Sequence, residues 1–431
     1  MSQKRLPSVS IPTVFAIVGL FTLALPRPSS AAWPLFGQAV TKGPKAQQHP
    51  AIASDGVGGA IIVWQDLRRA RGNVFAQHVL ASGAIDAAWP VDGLSVLRDT
   101  LALAGTPEGQ ASPLIVSDGA GGAIVAWHDA RNLISERDVF AQHLLGSGAV
   151  DPFWPVNGVV VCSAPGIQDV QRIVSDDAGG AIVAWSDRRA GPTTSAVFVQ
   201  RALASGVVHP LWPVNGIGVS ATPAPQVFPA LIGDGTGGAI VAWGDGRGGT
   251  TSGFDIFAQH VSSAGALDPL WPVTGRALCA ATGDQAHPVL VSDGAHGGVA
   301  AWSDSRVVGT SHIFAQHVFA RGTVDAAWPA NGRAVSAAGF LESRPLVVTD
   351  GAGGAIVNWQ AFDVHLNQYA QHVLGNGRWL PGRTATTSSP ITSSIRARSI
   401  PRTRQRAGAC ATCRARRPVP RSCRPATRAR S

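Results

Sequence analysis

Ser117-Asp118-Gly119-Ala120-Gly121-Gly122-Ala123-Ile124-Val125-Ala126-Trp127 is the stretch that decides the fold of this chain. Its first half, Asp-Gly-x-Gly-Gly, supplies positions that tolerate positive φ and so turns a strand back on itself. Its second half is apolar at every position from 123 to 127. A strand with one wet face alternates apolar and polar residues; this one does not, so both of its faces are expected to be buried. The stretch recurs, ending each time in a tryptophan: Trp64, Trp127, Trp185, Trp243, Trp302 and Trp359, at spacings of 63, 58, 58, 59 and 57 residues.

Two further signatures repeat with it. A W-P-x-x-G segment opens at Trp33, Trp89, Trp154, Trp212, Trp271 and Trp328, with Trp379 as a seventh, degenerate trace. The sequence F-A-Q-H-V begins at Phe75, Phe140, Phe257 and Phe314, and is varied as F-V-Q-R-A from Phe198 and Y-A-Q-H-V from Tyr369. Between Gly-rich breaks, each unit of about 58 residues reads as four short strands: P-x-I-V-S, A-I-V-A-W, F-A-Q-H-V, and one after W-P-x-N-G. Solenoid repeats are shorter, and a sandwich would leave one face of each sheet to water. Blades stacked between neighbours bury both faces, so the fold class is all-β, a six-bladed β-propeller of four-stranded blades. Pro50, Pro113, Pro229, Pro288 and Pro345 are expected to open the first, innermost strand, because proline has no N–H to give a ladder. Residues 33–41 are expected to complete the last blade and close the ring.

The pattern D-G-x-G-G-A-I-V-x-W-x-D-x-R, then A-Q-H-V and W-P-x-N-G, resembles repeats of secreted bacterial β-propeller proteins, largely uncharacterised. The likeness covers residues 33–378 and implies a propeller and extracellular placement, with no assigned chemistry. The S-x-D-x-G-x-T-W order of sialidase Asp-boxes is absent.

Residues 1–31 read as a signal peptide: Lys4 and Arg5, then an apolar run over 11–25, then small residues. Nothing later is long and apolar enough to span a bilayer as a helix. Residues 32–381 form the propeller and 382–431 an Arg-rich tail, expected to be disordered. That tail has the composition of a GC-rich gene read in a shifted frame. It carries thirteen arginines and no acid, whereas the body holds nineteen basic residues against all twenty-six acids, a net of −7. The net +9 of the whole chain therefore marks no nucleic-acid surface on the propeller.

The Asp-Gly turns and the third-to-fourth connections barely vary and share one face. The other two connections vary and share the opposite face, which is where a binding surface is expected. All three glutamates, Glu108, Glu136 and Glu342, fall there and are the carboxylates available to a glycan hydrolase or lyase. His49, Phe228, His287 and Arg344 precede the inner-strand prolines, and with Asp284 they make up the candidate ligand-binding set. His78, His143, His260, His317 and His372 recur at one position and are expected to make a structural hydrogen bond. The Asp and Arg two and four after Trp64, Trp127, Trp185, Trp243 and Trp302 are expected to form a turn brace or an ion pair between blades; the sixth repeat has Ala361 and Asp363 there. Cys162 and Cys279 read as buried apolar residues. No catalytic, cofactor or metal motif stands out. The reading is a secreted, monomeric, non-catalytic binding or scaffold module for glycan, protein or surface ligands; the alternative is a glycan-active hydrolase or lyase.

Overall fold

In the computed structural model, the described residues are 33–379 without 69–71, 98–108, 132–136, 250–252, 337–340 and 363–364, and Val170 only through its backbone. They belong to a compact unit ending at Leu380, separate from Pro381–Ser431. The signal segment and the tail thus lie outside the described residues. The described part is all-β but for one turn of 3-10 helix, Gly246–Gly248, and none of its helices is long and apolar enough to cross a membrane.

Six antiparallel sheets follow one another along the chain. In sheet 2 the strands are Gln110–Ser117, Ala123–Asp129, Asp138–Leu145 and Val159–Cys162, with a small extra pairing at Ala149–Val150. Sheets 1, 3, 4 and 5 have four strands each. The first strands of successive sheets are neighbours, so they form the inner edge of the stack. The second strands of sheets 2 to 5 are buried almost throughout, as the unbroken apolar run requires. Five apolar cores join sheet 1 to 2, 2 to 3, 3 to 4, 4 to 5 and 5 to 6.

Three features differ from expectation. The prolines do not open the first strands but sit inside them, at a bulge: in sheet 1 the register jumps between Gln48 and Ala51, around His49 and Pro50. A bulge leaves residues unpaired, which is the other place a sheet accepts a residue without an N–H. Sheet 3 has Gln171 at the proline position and keeps an irregularity between Val170 and Arg172, so proline fits the bulge without being its sole cause.

Trp379 does not belong to the W-P series. It bridges Val373 as Ile85 bridges Val79, so it holds the position of Ile85 rather than Trp89.

Finally, among the described residues sheet 6 has three strands, Leu341–Thr349, Ala355–Phe362 and Leu366–Val373. Residues 33–41 lie against sheet 1 and do not pair with its edge. Its second strand alternates buried and exposed residues, with Asn358 where the other sheets have Val63, Ala126, Ala184, Ala242 and Ala301.

Candidate functional site

The face with constant turns is held by brackets. His78 reaches Asp55 of the first turn through Nε2 (3.0 Å) and Asp86 of the third-to-fourth connection through Nδ1 (2.8 Å). His143, His260 and His317 repeat the arrangement, with Asp118 and Asp151, Asp234 and Asp268, and Asp293 and Asp325. In each case one Oδ1 of the turn aspartate also accepts backbone N–H groups, as Asp55 does from Val57 and Gly59 (both 2.8 Å). The repeated histidine therefore ties two loops together. Sheet 3 changes two members at once: Arg201 pairs with Asp176 (2.9 Å), and His209 stands where the second aspartate would be. Burial and the Arg201 charge hold the His209 pKa below the ordinary value.

The Asp-x-Arg pattern is a brace within each of sheets 1 to 5, not a link between sheets. Asp129 accepts from Trp127 Nε1 (3.0 Å), from the Arg131 N–H (2.9 Å) and from the Arg131 guanidinium. That guanidinium lies 3.8 Å from the Phe140 ring centroid and donates to the Asn157 carbonyl of the same repeat. One aspartate thus fixes the tryptophan, the turn and the outer strand.

Glu342 is part of the same scaffold rather than a free carboxylate. In sheet 6 Ala361 replaces the brace aspartate, and Glu342 lies opposite it in the register. Its carboxylate accepts from Trp359 Nε1 (3.1 Å) and contacts Ser336 Oγ and His312 Nδ1, and it is buried. The alternative reading offered Glu342 as a catalytic carboxylate; here its oxygens are engaged in replacing a missing side chain. Glu108 and Glu136 lie outside the described residues.

On the variable face the two changing connections meet. The first strands of sheets 2 to 6 begin by bonding the end of the preceding sheet's second-to-third connection, as Gln110 N does to Gly72 O, Gln226 N to Ser195 O and Gln285 N to Phe254 O. Asp284 takes part in this seam, accepting from Phe254 N at 2.9 Å. Asp169 is held by Arg137 at 2.9 Å. Asp284 therefore fastens a loop and stands apart from the inner-strand set.

His49, Phe228, His287 and Arg344 occupy one structural position, the bulge residue before proline. With Ser112 they share a left-handed backbone, φ from 50° to 54°. Non-glycine residues adopt that region at a cost of about 1–2 kcal/mol. All four named residues are exposed. Phe228 and His287, from neighbouring sheets, place their rings 4.1 Å apart. Burial, then the charge of Arg344 on the next sheet, lowers the pKa of His287, keeping the imidazole neutral near neutral pH. His49 contacts Gln65 Oε1 at 2.9 Å. The structure thus brings Phe228, His287 and Arg344 into succession on three adjacent sheets, with His49 in the equivalent place on sheet 1.

One perturbed carboxyl was not singled out by its sequence position. Asp255, at the start of the third strand of sheet 4, is pushed up to about 6 by burial and by Asp245 opposite it. The only hint in the sequence is that Asn73 and Ala196 stand there in other repeats. Cys162 and Cys279 are free, buried thiols pushed up to about 12 by burial. Among the described residues no cluster of three or more His, Cys, Asp or Glu could hold a metal ion.

No protein-family model matches the chain, and no curated protein does. Solved structures of similar outline exist. An α-L-arabinanase of Penicillium chrysogenum complexed with arabinobiose is 12% identical, covers 78% of this chain and 94% of its own, and superposes with a TM-score of 0.43. A PL25 ulvan lyase is 12% identical over 80% of this chain and 86% of its own, TM-score 0.44. A protein of unknown function from Dyadobacter fermentans is 9% identical over 75% and 93%, TM-score 0.41. Likeness at this level says nothing of substrate or catalysis.

Proposed function

We propose that this chain is a secreted bacterial propeller of six blades that binds an acidic glycan at the inner edge of its sheets, on the variable face. The observation that carries the reading is the run Phe228, His287 and Arg344. A repeat scaffold that keeps its braces nearly constant carries a different side chain on each of three neighbouring sheets at this one position, each exposed on strained backbone. The chemistry suits a sugar acid. An aromatic ring offers a face to the C–H side of a pyranose, a neutral imidazole exchanges hydrogen bonds with hydroxyls, and a guanidinium takes a carboxylate through two parallel donors.

Binding of oligouronides to the full chain, followed by calorimetry, tests this. Arg344→Gln is expected to weaken binding about tenfold or more, the loss of a charged hydrogen-bonding partner. Phe228→Ala is expected to weaken neutral and acidic oligosaccharides alike. Unchanged affinity in both variants overturns the reading. The same oligosaccharides incubated with the protein and scanned for new reducing ends or unsaturated products test the alternative, hydrolysis or elimination. Turnover lost in Glu108→Gln or Glu136→Gln would replace the binding role with an enzymatic one.

A further inference from the structure

Between sheets 4 and 5 the constant face departs from its own pattern. The third residue after the turn aspartate is glycine in five repeats, Gly58, Gly121, Gly179, Gly237 and Gly353, with φ from 81° to 97°. In sheet 5 it is His296, which keeps the left-handed backbone at φ of 65°. Glycine takes that conformation at no steric cost and histidine does not; strain retained in this way gathers at functional positions. Two neighbours break the pattern with it. Thr236 stands where the other turns have Val57, Ala120, Ala178, Ala295 and Ala352. Arg321 stands where the other repeats have Ser82, Ser147, Ser205, Ala264 and Asn376. All three are exposed, and with Leu270 they line one cavity of about 320 Å³. Small-molecule sites span about 300–1,000 Å³.

The cavity's polar atoms are held in known roles. His296 Nδ1 bonds the Asp234 carbonyl of the preceding sheet. A carbonyl only accepts, so Nδ1 carries the proton, and Nε2 of the neutral ring presents a lone pair. The Thr236 hydroxyl donates to Asp234 Oδ2 at 2.9 Å, which leaves its own oxygen as an acceptor. Asp268 accepts from His260 Nδ1 (2.8 Å) and Leu270 N (2.9 Å), one bond to each oxygen, so each keeps a second lone pair. Arg321 supplies the donors. Its Nε reaches Thr323 Oγ1 at 3.2 Å, and its guanidinium stands 5.6 Å from the Phe319 ring centroid. Its two terminal nitrogens make no bond among the described residues. Leu270, 65% exposed, gives the cavity an apolar wall.

Charge selects the ligand. An anion entering here would meet the Asp234 and Asp268 carboxylates. A cation would meet Arg321, and both oxygens of Asp234 are already engaged by the His260 ring, the Thr236 hydroxyl and backbone N–H groups. A neutral ligand with several hydroxyls meets neither obstacle. We infer that this cavity binds a neutral saccharide ring, a second site on the face opposite the variable one. Sugar hydroxyls donate to Thr236 Oγ1, Asp268 and His296 Nε2, a sugar oxygen accepts from the Arg321 guanidinium, and the C–H side of the ring lies on Leu270. The site is separate from Phe228, His287 and Arg344 and does not depend on what they bind.

Calorimetric titration of the full chain with glucose, galactose, mannose and xylose tests the inference. At least one is expected to bind with a Kd of about 1 mM, as suits an open site with few polar contacts. His296→Gly and Arg321→Ser are each expected to weaken that binding about tenfold or more, the loss of one good hydrogen-bonding partner. Both variants restore what sister repeats carry, so both are expected to fold. The melting temperature should hold in Arg321→Ser and hold or rise in His296→Gly, where strain is relieved. No saturation by any of the four sugars at about 100 mM overturns the inference, and so does unchanged affinity in both variants. Sugar binding lost in Arg344→Gln but kept in His296→Gly assigns the sugar to the variable face and overturns it. Saturable binding of inorganic phosphate or calcium in place of the sugars makes this an ion site and overturns it equally.

Discussion

Asp129 shows how much one side chain carries in this protein. It is fully buried, and its charge is kept against burial by Arg131 and by the Trp127 and backbone N–H donors, so its pKa falls below the ordinary carboxylate value. Removing it leaves a guanidinium and an indole N–H without their acceptor. Asp129→Ala is therefore expected to destabilise by about 3–5 kcal/mol in chemical denaturation, the usual cost of breaking one side of a buried pair. Arg344 should behave in the opposite way. Its φ of 53° is strained for any residue but glycine, so Arg344→Gly is expected to hold or raise stability by about 0.5 kcal/mol while weakening the proposed glycan binding about tenfold or more. Equal loss of stability and binding would show that Arg344 serves the fold instead.

Two titrating residues give the stability a slope with pH. Burial opposes a charge on His260, but its hydrogen bonds to Asp234 and Asp268 outweigh that, and its pKa is raised. Its contribution is complete below the unfolded imidazole value, about 6.5, and is lost as pH rises through the folded one. Asp255 is also raised, to about 6, so the folded state favours its protonated form. That contribution is complete below about 4 and is lost as pH climbs through about 6. Denaturation midpoints should fall as pH rises from 4 to 8. Asp255→Asn should flatten the lower part of that slope, and His260→Gln the upper part. The histidine position was legible in the sequence as a repeated structural residue. The carboxylates at both of its ends were not, because they lie on turns that only the fold brings together.

At the scale of the element, the W-P-x-N-G segment shows how a short motif sets close packing. Gly158 has φ of 83°, and a Cβ there would come within 2.9 Å of the Trp127 ring and 2.8 Å of the Ala141 carbonyl. Gly158→Ala is expected to cost at least about 2 kcal/mol, combining left-handed strain with overpacking, as thermal unfolding would measure. The first strand was read less well. Proline without an N–H fits a strand end or a bulge equally, and the residues alone do not choose between them. The bulge is what places His49, Phe228, His287 and Arg344 on strained, exposed backbone.

For the whole molecule, the order of sheets and the burial of both faces follow from the repeat itself. An unbroken apolar strand must be covered on both sides, and a copy of itself is the available cover. The sequence by itself determined the repeat, the buried second strand with the turn before it, and which connections are constant and which vary. Tertiary structure alone decided that Glu342 replaces a missing aspartate and that Asp284 fastens a loop. It also decided that Phe228 and His287 touch, and that among the described residues no fourth strand is hydrogen-bonded to sheet 6. The reason is physical: periodicity reports which residues of one strand share a face, whereas a partner from another repeat is set by how the sheets stack.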